Sequence, residues 1–439
     1  MATVTTHTGK YTPSFSGGVQ RTLASKLEDA ISIKDLGAIG GENAADSAAI
    51  QAAIDAASAA GGRTVLIPPG TFKAEGIVPK PDVTLQGAGS TINGEASVLK
   101  TTTGDMFVAS AACQNFGLAD LRLDSSGAAG NGHLFNIQNA IGYWHVRRCY
   151  IFQRALASSI LYLRRNVTYP SAQMLFCTFA DCKFQHTSGG TATTYAFDMD
   201  STSGAYFQSN SFLNCSYWKG GAADHFINID FNTTTANTGN VFKTNWLESL
   251  NGGWLRAYSA ESWVIDNTVH YDAGTIGGHV IHLTRQSARS FSRNNRIVGY
   301  NRTQGSLSGG IYDIYLDNNT KYTSISDVDC GSTADASIYL DARFAGRYIR
   351  AETISDRITT NLQVDSDSEG LFFNGRNMLE ELNGYTSTEL GDAADDVNTV
   401  GKYPGRPRWN TTTSTYYYAT GTGATDDWMD EAGTTITPS

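Results

Sequence analysis

YAFDMD at residues 195–200 and HFINID at residues 225–230 share one alternation of apolar and polar side chains, and this hexapeptide decides the fold. Six further copies occur along the chain: HLFNIQ (133–138), SILYLR (159–164), GWLRAY (253–258), HVIHLT (279–284), YDIYLD (312–317) and ASIYLD (336–341). A period of two is typical of a β-strand with one buried face. Its repeated return along the sequence predicts a solenoid, in which each coil stacks on the previous one.

The aligned copies contain two apolar columns, which we expect to form the core. The first column is Phe135, Leu161, Phe197, Ile227, Leu255, Ile281, Ile314 and Ile338, and the second is Ile137, Leu163, Met199, Ile229, Ala257, Leu283, Leu316 and Leu340. Subtracting neighbouring positions of the first column gives steps of 26, 36, 30, 28, 26, 33 and 24 residues. These steps are too irregular for leucine-rich or ankyrin repeats, and they predict parallel β-coils with loops of variable length.

Each coil also contains a second run that bends at a small polar or thiol residue. Six such residues align in one column: Cys149, Cys182, Asn210, Asn245, Asn267 and Asn295. Asparagine tolerates a left-handed backbone, and its amide can hydrogen-bond to the next asparagine of a stack. We therefore expect one inward ladder of these residues at a bend of the solenoid.

The segment ISIKDLGAIGGENAADSAAIQAAIDAASAAGGRTVLIPPGTF, residues 31–72, predicts how the solenoid begins. A short strand and a polar turn precede a helix with Asp46 as its N-cap, an apolar stripe that includes Ile50 and Ile54, and Gly61-Gly62 as its stop. Such a helix would cover the open end of the solenoid, where core residues are otherwise exposed.

This segment, together with the asparagine column, resembles the pectate-lyase-like superfamily and in particular phage tailspike and capsule depolymerases. The resemblance implies an all-β fold: a right-handed parallel β-helix, a single-stranded solenoid, with an N-terminal capping helix and a small C-terminal β-rich module. It also implies a homotrimer. We expect residues 1–30 to form a connector or anchor, residues 31–375 the β-helix with its capping helix at 46–60, and residues 376–439 a module for trimerisation or glycan contact.

The sequence GGVQRTL at residues 17–23 resembles the connector ahead of the β-helix in phage tail proteins. That likeness implies attachment to other tail proteins through the N-terminus. The first residues, MATVTTHTGKYTPSF, lack the basic start and apolar centre of a secretory signal. We therefore expect synthesis in the host cytoplasm, a place in the virion tail, and action outside the cell at the host surface.

Composition disfavours several other classes of function. A net charge of −10 disfavours nucleic acid as a partner, and no apolar run approaches the roughly 20 residues of a membrane span. The six cysteines include no C-x-x-C pair, and the eight histidines lack the spacing of zinc ligands. We expect no cofactor, apart from calcium under the lyase alternative below.

Function has to be sought on the outward face of the eight strands, because a fold does not name a reaction. The residues between the core columns are Asn136, Tyr162, Asp198, Asn228, Arg256, His282, Tyr315 and Tyr339. The next outward residues are Gln138, Arg164, Asp200, Asp230, Tyr258, Thr284, Asp317 and Asp341. On four consecutive coils this pattern gathers the candidate catalytic residues Asp198, Asp200, Asp230, Arg256, Tyr258 and His282.

The spacing of the acids favours hydrolysis. The backbones of Asp200 and Asp230 should lie about 5 Å apart on adjacent coils, and those of Asp198 and Asp230 about 8 Å apart on a diagonal. These separations bracket the retaining and inverting geometries of glycosidases. Two carboxyl groups this close divide into a proton donor and a base or nucleophile.

The same residues also allow β-elimination on a uronate. Pectate-lyase-like enzymes hold calcium with Asp side chains on this sheet and use an Arg as the base. The resemblance therefore implies Asp198, Asp200 and Asp230 as calcium ligands and Arg256 as the base of a calcium-dependent lyase. Tyr258 and His282 would serve as the acid and base of a metal-free lyase. We favour hydrolysis because an arginine gives up its proton only in an exceptional environment.

A second candidate site follows the bend. Glu248, His270 and Asp272 are its possible catalytic groups, with Glu248 and His270 expected in equivalent outward positions. Contacts with the sugar rings are expected from Asn228, Trp246, Trp254 and Tyr315. Whether a site lies within one chain or between chains stays open at this point.

The sequence therefore predicts a phage tailspike-like depolymerase that cleaves glycosidic bonds of a bacterial surface polysaccharide. One alternative is a polysaccharide lyase. A second is a non-catalytic receptor-binding protein that holds the glycan without cutting it, and a third is a purely structural tail component without glycan affinity.

Overall fold

A computed structural model of the chain forms a parallel β-solenoid built mainly from three long sheets. In each coil the chain runs through sheet 1, a short strand, sheet 2 and sheet 3, and then returns to sheet 1. The predicted fold class, a mostly β parallel β-helix with an N-terminal helix and a small C-terminal β-module, is confirmed. The structure describes residues 10–11, 21–22, 30–91, 96–125, 132–154, 158–166, 168–187, 195–201, 206–220, 225–231, 237–248, 250, 252–271, 275–276, 278–284, 292–302, 306–307, 311–317, 320–321, 323–328, 338–340, 349–354, 362–364, 371–373, 376–377, 385–395, 398, 407–410, 412–413, 415–430 and 432–439.

Sheet 1 contains the eight predicted strands and one more at each end. Its strands, all paired in parallel, are Phe107–Ala109, Phe135–Ile137, Leu161–Arg165, Phe197–Ser201, Ile227–Phe231, Leu255–Tyr258, Ile281–Thr284, Ile314–Leu316, Ile338–Leu340 and Leu362–Val364. Phe135 pairs with Leu161, Leu161 with Phe197, and the same register continues without a slip to Ile338. The two core columns are confirmed, since every member whose side chain is described is buried.

Sheets 2 and 3 close the other sides of the solenoid. Sheet 2 contains Ile31–Ser32, Thr64–Ile67, Thr84–Gly87, Gly117–Ala119, His145–Arg147, Thr178–Ala180, Ser211–Leu213, Val241–Lys243, Val264–Asp266, Arg296–Val298, Thr323–Val328, Ile349–Ile354, Leu371–Phe373 and the antiparallel Arg376–Asn377. Sheet 3 contains Gly70–Lys73, Ser97–Thr101, Arg122–Ser125, Tyr150–Gln153, Lys183–Thr187, Ser216–Gly220, Trp246–Glu248, Val269–Tyr271 and Asn301–Arg302. Both sheets direct apolar side chains into the same core as sheet 1.

Shorter strands form narrow sheets between sheets 1 and 2, and one more pair lies where the chain passes from sheet 3 back to sheet 1. They are Cys113–Gln114, Ala140–Gly142, Gln173–Leu175 and Phe207–Gln208 in one sheet, Asn237–Thr238, Ala260–Glu261, Ser292–Arg293 and Thr320–Lys321 in a second, and Thr275–Ile276 with Ser306–Leu307 in a third. All of them pair in parallel. The parallel register of sheet 1 thus continues into the neighbouring turn.

The predicted single bend column is two separate ladders. Cys149, Cys182 and Asn245 lie at the bend between sheets 2 and 3, whereas Asn210 and Asn295 lie at the bend that leads into sheet 2. In each bend the left-handed backbone belongs to the residue before the inward one, as in Ser209 with φ 54° and Thr244 with φ 55°. Asn267, with φ 48°, is itself such an outward bend residue and so does not belong to a ladder.

The inward asparagines form the expected hydrogen bonds along the stack. The Asn210 backbone N–H and side-chain Nδ2 both donate to Asn240 Oδ1, at 2.9 and 3.1 Å. Cys215 N–H donates to Asn245 Oδ1 at 3.0 Å. Because a buried amide group without partners is costly, this pairing lets polar side chains line the inside of a bend.

Helix α1, Asp46–Ala59, covers the N-terminal end of the solenoid. Its buried face is formed by Ala49, Ile50, Ala53, Ile54 and Ala57, which join the main core. Asp46 is the first helical residue rather than the N-cap, a position that Ala45 occupies. The fully buried Asp46 carboxylate instead accepts the backbone N–H groups of Ile39, Gly40, Asn43 and Lys73 at 2.9 to 3.1 Å. It therefore connects the helix start to the preceding loop and to sheet 3.

The two ends of the chain contain antiparallel pairing. Near the N-terminus Lys10–Tyr11 pairs with Arg21–Thr22. Near the C-terminus helix α2, Ser387–Leu390, precedes a sheet of Pro407–Asn410, Thr415–Ala419, Trp428–Asp430 and Thr435–Ile436, whose own small core includes Leu390 and Trp428. The division at residues 30 and 375 stays a prediction. None of the helices in the described ranges is long and apolar enough to cross a membrane.

Candidate functional site

The outward face of sheet 1 brings the predicted catalytic residues onto successive coils. Asp198 pairs with Asn228 and Asn228 with Arg256, so these three residues follow one another across the strands. Asp200 pairs with Asp230 in the neighbouring outward column. The predicted adjacency of the acids is therefore present in the backbone register, while the Asp200 side chain lies outside the described residues.

Arg256 occupies the middle of this face and is held by two polar partners. Its Nε donates to Asn228 Oδ1 at 2.8 Å, and its Nη2 donates to the hydroxyl of Tyr195 at 2.5 Å. The guanidinium also lies 5.3 Å from the ring centroid of Tyr195 and 5.6 Å from that of Tyr258. Fixed donors and two flanking rings make Arg256 a pre-oriented cation for an anionic or hydroxylated ligand.

The two described acids have different surroundings. Asp198 forms an ion pair with Arg164, with a distance of 3.1 Å from Arg164 Nη2 to Asp198 Oδ2. Asp230 is half-buried on the next coil, in the outward column that also contains Tyr258. Burial raises the pKa of Tyr258, and the charge of Asp230 adds to this while Arg256 opposes it. Tyr258 is consequently a protonated phenol near neutral pH.

The imidazole of His282 follows Arg256 on the next coil. Burial lowers the pKa of His282 to about 3, with smaller contributions from the positive charge that His279 and Arg256 carry when protonated. Its Nε2 is buried without a hydrogen-bond partner among the described residues. The ring lies edge-on to Tyr315, with centroids 4.8 Å apart. His282 is therefore a neutral imidazole beside a cation.

A further column, which the sequence prediction did not use, begins each hexapeptide. Its residues in the first seven copies are His133, Ser159, Tyr195, His225, Gly253, His279 and Tyr312. Four of these, His133, Tyr195, His279 and Tyr312, are partly exposed, and the others are buried. The signal was present in the aligned copies, since three of the eight histidines of the chain share this one position. Gly253 fits the column because a Cβ there would lie 2.4 Å from His225 Cδ2 and 1.9 Å from the His279 carbonyl oxygen. The column adds Tyr195 to the surroundings of Arg256.

Two predicted sugar contacts need correction. Trp254 is fully buried and packs edge-on against Tyr217 and Phe242 in the core, so it does not reach the surface. The hexapeptide GWLRAY places it next to an inward position, where its size fills the solenoid interior. Asn228 is also buried, and its amide oxygen holds Arg256. Tyr315 is partly exposed and remains a predicted contact.

The second candidate site is only partly assembled on sheet 3. Trp246 and Tyr271 are 44% and 37% exposed, and their rings stack with centroids 6.0 Å apart. Glu248 pairs with Tyr271 and is partly exposed. His270 pairs instead with the core residue Leu247 and is fully buried, so its predicted outward position is wrong by one residue of register. Asp272 lies outside the described residues.

Inside the solenoid His270 belongs to a buried polar network. Its Nδ1 lies 3.3 Å from Tyr300 Oη, Tyr300 donates to Asp313 at 2.8 Å, and Arg302 Nε donates to the same carboxylate at 2.9 Å. Burial lowers the pKa of His270 to about 3, and the charge of Arg302 acts in the same direction. The imidazole is thus uncharged in the folded protein over most of the acidic range.

We expect this network to make folding stability pH-dependent. The pKa of His270 is about 3 when folded, against 6.5 when unfolded, so the unfolded chain binds the extra proton between these values. Stability is therefore complete above pH 6.5 and falls, for this one group, by about 1.4 kcal/mol per pH unit below it. Urea unfolding of the wild type and of His270→Asn at several pH values would measure this. Parallel pH curves for the two proteins would contradict it.

The described residues offer no grouping of three His, Cys, Asp or Glu side chains arranged to hold a metal ion. The Asp200 side chain, one of the three expected calcium ligands, is outside that description. Cys113, Cys149, Cys177, Cys182 and Cys215 are buried free thiols. Burial raises the pKa of Cys113 and Cys177 to about 12, so both thiols are protonated and inert.

A family model described as rhamnogalacturonase A/epimerase, pectate lyase-like, matches residues 30–295. Mannuronan C5-epimerase AlgE3 of Azotobacter vinelandii is 41% identical over 110 residues, which is 21% of this chain and 6% of that protein. The shared segment is thus a small part of the epimerase's own length.

Two solved phage structures are similar to this chain at low sequence identity. One is ORF18 of Geobacillus virus E2, with a TM-score of 0.49 and 14% identity, covering 99% of this chain and 83% of that one. The other is tailspike protein 3 of bacteriophage CBA120, with a TM-score of 0.42 and 12% identity, covering 98% and 74%.

Proposed function

Because this chain belongs to the rhamnogalacturonase A/epimerase family of pectate lyase-like proteins, we propose that it cleaves glycosidic bonds of a bacterial surface polysaccharide on the outward face of sheet 1. The observation that carries this proposal is the register of three strands. It aligns Asp198, Asp230 and Arg256 on three successive coils of one exposed face.

The proposed hydrolysis divides the two acids into a base and a proton donor. We assign Asp198, which is ion-paired with Arg164, as the base, and Asp230 on the next coil as the proton donor. One strand spacing and two residues along the strand put their Cα atoms about 8 Å apart, which leaves room for the roughly 6.5–9.5 Å between carboxyl groups in inverting glycosidases. Asp198 takes a proton from water, the water oxygen bonds to the anomeric carbon, and the leaving glycosidic oxygen takes a proton from Asp230.

The contacts of Arg256 support a binding role rather than that of a base. Its Nε and Nη2 both donate hydrogen bonds, to Asn228 and Tyr195, as suits a binding group rather than a proton acceptor. Its remaining N–H groups would bind hydroxyl or carboxylate oxygens of the sugar beside the cleaved bond. The protonated phenol of Tyr258 would donate to the same ring. Arg256 and Tyr258 thereby orient the substrate between the acids.

Elimination is the second candidate, and one observation favours it. His282 is a partly exposed, neutral imidazole that lies one coil from Arg256. It could accept the proton at C5 of a uronate whose carboxylate is bound by Arg256. The leaving glycosidic oxygen would then depart with a proton from Tyr258, and an unsaturated product would form.

We also propose a phage tail setting for this activity. The segments at residues 17–23 and 31–72 resemble phage tail proteins in sequence. This resemblance supports attachment to other tail proteins, a homotrimer and action at the host surface. The C-terminal sheet is proposed to contribute to subunit or glycan contacts.

One experiment tests the reaction. The full chain is incubated with a panel of bacterial capsular polysaccharides and exopolysaccharides, alginate included, while reducing ends and ultraviolet absorbance are followed together. New reducing ends without a chromophore would support hydrolysis, and a rising chromophore would mean elimination. If the chain binds a panel glycan and neither signal appears, the depolymerase proposal fails and a non-catalytic receptor-binding role replaces it.

A further inference from the structure

Two histidines of the column that begins each hexapeptide form the same structure at two places on sheet 1. His133 stacks on Tyr162 of the next coil, with centroids 4.0 Å apart and planes at 11°. His279 stacks on Tyr315 of its next coil, with centroids 4.3 Å apart and planes at 19°. In both pairs the histidine precedes its strand by two residues and the tyrosine is in the first outward column.

Hydrogen bonds from the backbone fix the tautomer of both rings. Ser159 N–H donates to His133 Nδ1 at 3.0 Å, and Tyr312 N–H donates to His279 Nδ1 at 3.1 Å. An Nδ1 that accepts a hydrogen bond has no proton, so the neutral ring carries its proton on Nε2. Burial lowers the pKa of both rings to about 4, which keeps them neutral near pH 7.

Each ring therefore presents one fixed N–H donor. Both side chains are partly exposed, and neither Nε2 has a hydrogen-bond partner within the described ranges. The backbone hydrogen bond to Nδ1 fixes where Nε2 points, and the stacked tyrosine holds the plane of the ring. Such a donor suits a hydroxyl or carboxylate oxygen of a ligand.

The spacing of the two donors brackets the candidate catalytic centre. Five strand steps separate the coil of His133 from that of His279, a distance of about 24 Å along the solenoid axis. Asp198, Asp230 and Arg256 lie on the coils between them. A ligand that contacts both donors must therefore cross the centre.

We propose that His133 and His279 are the two end subsites of one glycan-binding face, each donating its Nε2–H to an oxygen of the polysaccharide. The glycan then runs along the solenoid axis and is cut internally. This inference rests on the proposed function and specifies its substrate as a chain of several sugars on both sides of the cleaved bond.

Asparagine variants separate the ligand contact from the structural one. In His133→Asn and His279→Asn the Oδ1 atom still accepts the backbone N–H, but the donor at Nε2 is gone. In His133→Gln and His279→Gln an amide nitrogen occupies the Nε2 region while the backbone acceptor is lost. Binding is measured by calorimetry with fragments of the panel polysaccharide that the wild type binds, prepared by partial acid hydrolysis so that no enzyme is needed.

Each Asn variant is expected to weaken binding of long fragments about 5-fold, and the double variant about 25-fold, since the sites are far apart. A disaccharide is too short to reach both histidines, so its affinity should not fall in both Asn variants. The Gln variants should recover part of the affinity for long fragments. Thermal midpoints of the Asn variants should match the wild type.

The failures of the inference and of the proposed function are distinguishable. If Asp230→Asn stops cleavage but His133→Asn and His279→Asn bind long fragments as tightly as the wild type does, the inference is wrong and the proposed function stands. If long fragments lose no more affinity than disaccharides do, the glycan does not span both subsites. If the wild type binds no panel polysaccharide, both proposals fall.

Discussion

Asp230→Asn is expected to lower the rate of glycan cleavage by about 10² to 10⁴-fold, the usual effect of removing a general acid. The amide keeps the size of the carboxyl but has no proton to give to the departing glycosidic oxygen. Because the change leaves binding groups in place, the loss should appear in kcat rather than in KM. Reducing-end assays over a range of substrate concentrations would measure both constants.

Asp266→Asn is the matched control for this variant. Asp266 is a partly exposed acid of sheet 2, ion-paired with Lys243 at 3.5 Å and remote from the outward face of sheet 1. Its replacement makes the same chemical change and should leave kcat unaltered. Wild-type rates in Asp230→Asn would remove Asp230 from the mechanism, and a loss in both variants would mean that the effect comes from folding.

Asp46→Ala is expected to cause the largest loss of stability, about 4 kcal/mol from four backbone N–H groups that lose their acceptor at about 1 kcal/mol each. These donors belong to the loop before helix α1 and to sheet 3. Without the carboxylate the helix is no longer held over the end of the core, where Ile50 and Ile54 are fully buried. Urea unfolding followed by circular dichroism would give the change in free energy.

Asp55→Ala provides the comparison within the same helix. Asp55 is exposed, and its ion pair with Lys80 spans 3.8 Å, so its loss should cost no more than about 0.5 kcal/mol. Equal midpoints for the two variants would mean that the Asp46 hydrogen bonds contribute little. A lower midpoint in Asp46→Ala with aggregation on heating would fit an uncovered solenoid end.

Sheet 1 could be read from the sequence because its signal is local and repeated. Each strand has a period of two, and burial of one face fixes the register, since a slip of one residue would expose the whole apolar column. Every copy from Phe135 to Ile338 repeats the same constraint. The alignment of eight hexapeptides therefore predicted the strands, the core columns and the facing acids together.

The bends were harder to predict than the strands, because short polar residues occur at both bends and the sequence alone does not distinguish the two. Asn210 and Asn245 have similar neighbours, yet they lie at different corners of the solenoid. What separates them is the length of the strand on either side, which pairing with neighbouring coils decides. His270 was misplaced for the same reason: the alignment of Glu248 with His270 is one residue away from the true partner, Tyr271.

The positions of Trp254 and Tyr195 at the site could not be predicted from the sequence. Both stand at the start of their hexapeptides, before the alternation of core and outward positions begins, and the sequence prediction assigned Trp254 to the surface and left Tyr195 out. Trp254 points into the core and Tyr195 reaches Arg256. Side-chain direction just before a strand depends on the preceding loop, whose course a repeat pattern does not specify.

Because the register of sheet 1 is unbroken, equivalent side chains recur at a fixed spacing along the solenoid axis, one on each coil. Any two side chains in one column stand a whole number of strand spacings apart, in increments of about 4.8 Å. If His133 and His279 bind the two ends of a glycan as proposed, duplication or loss of one coil between them would lengthen or shorten the glycan that they span by one increment while leaving the sheets intact. A fold of this kind can therefore come to span a ligand of a different length while each individual side-chain contact stays the same.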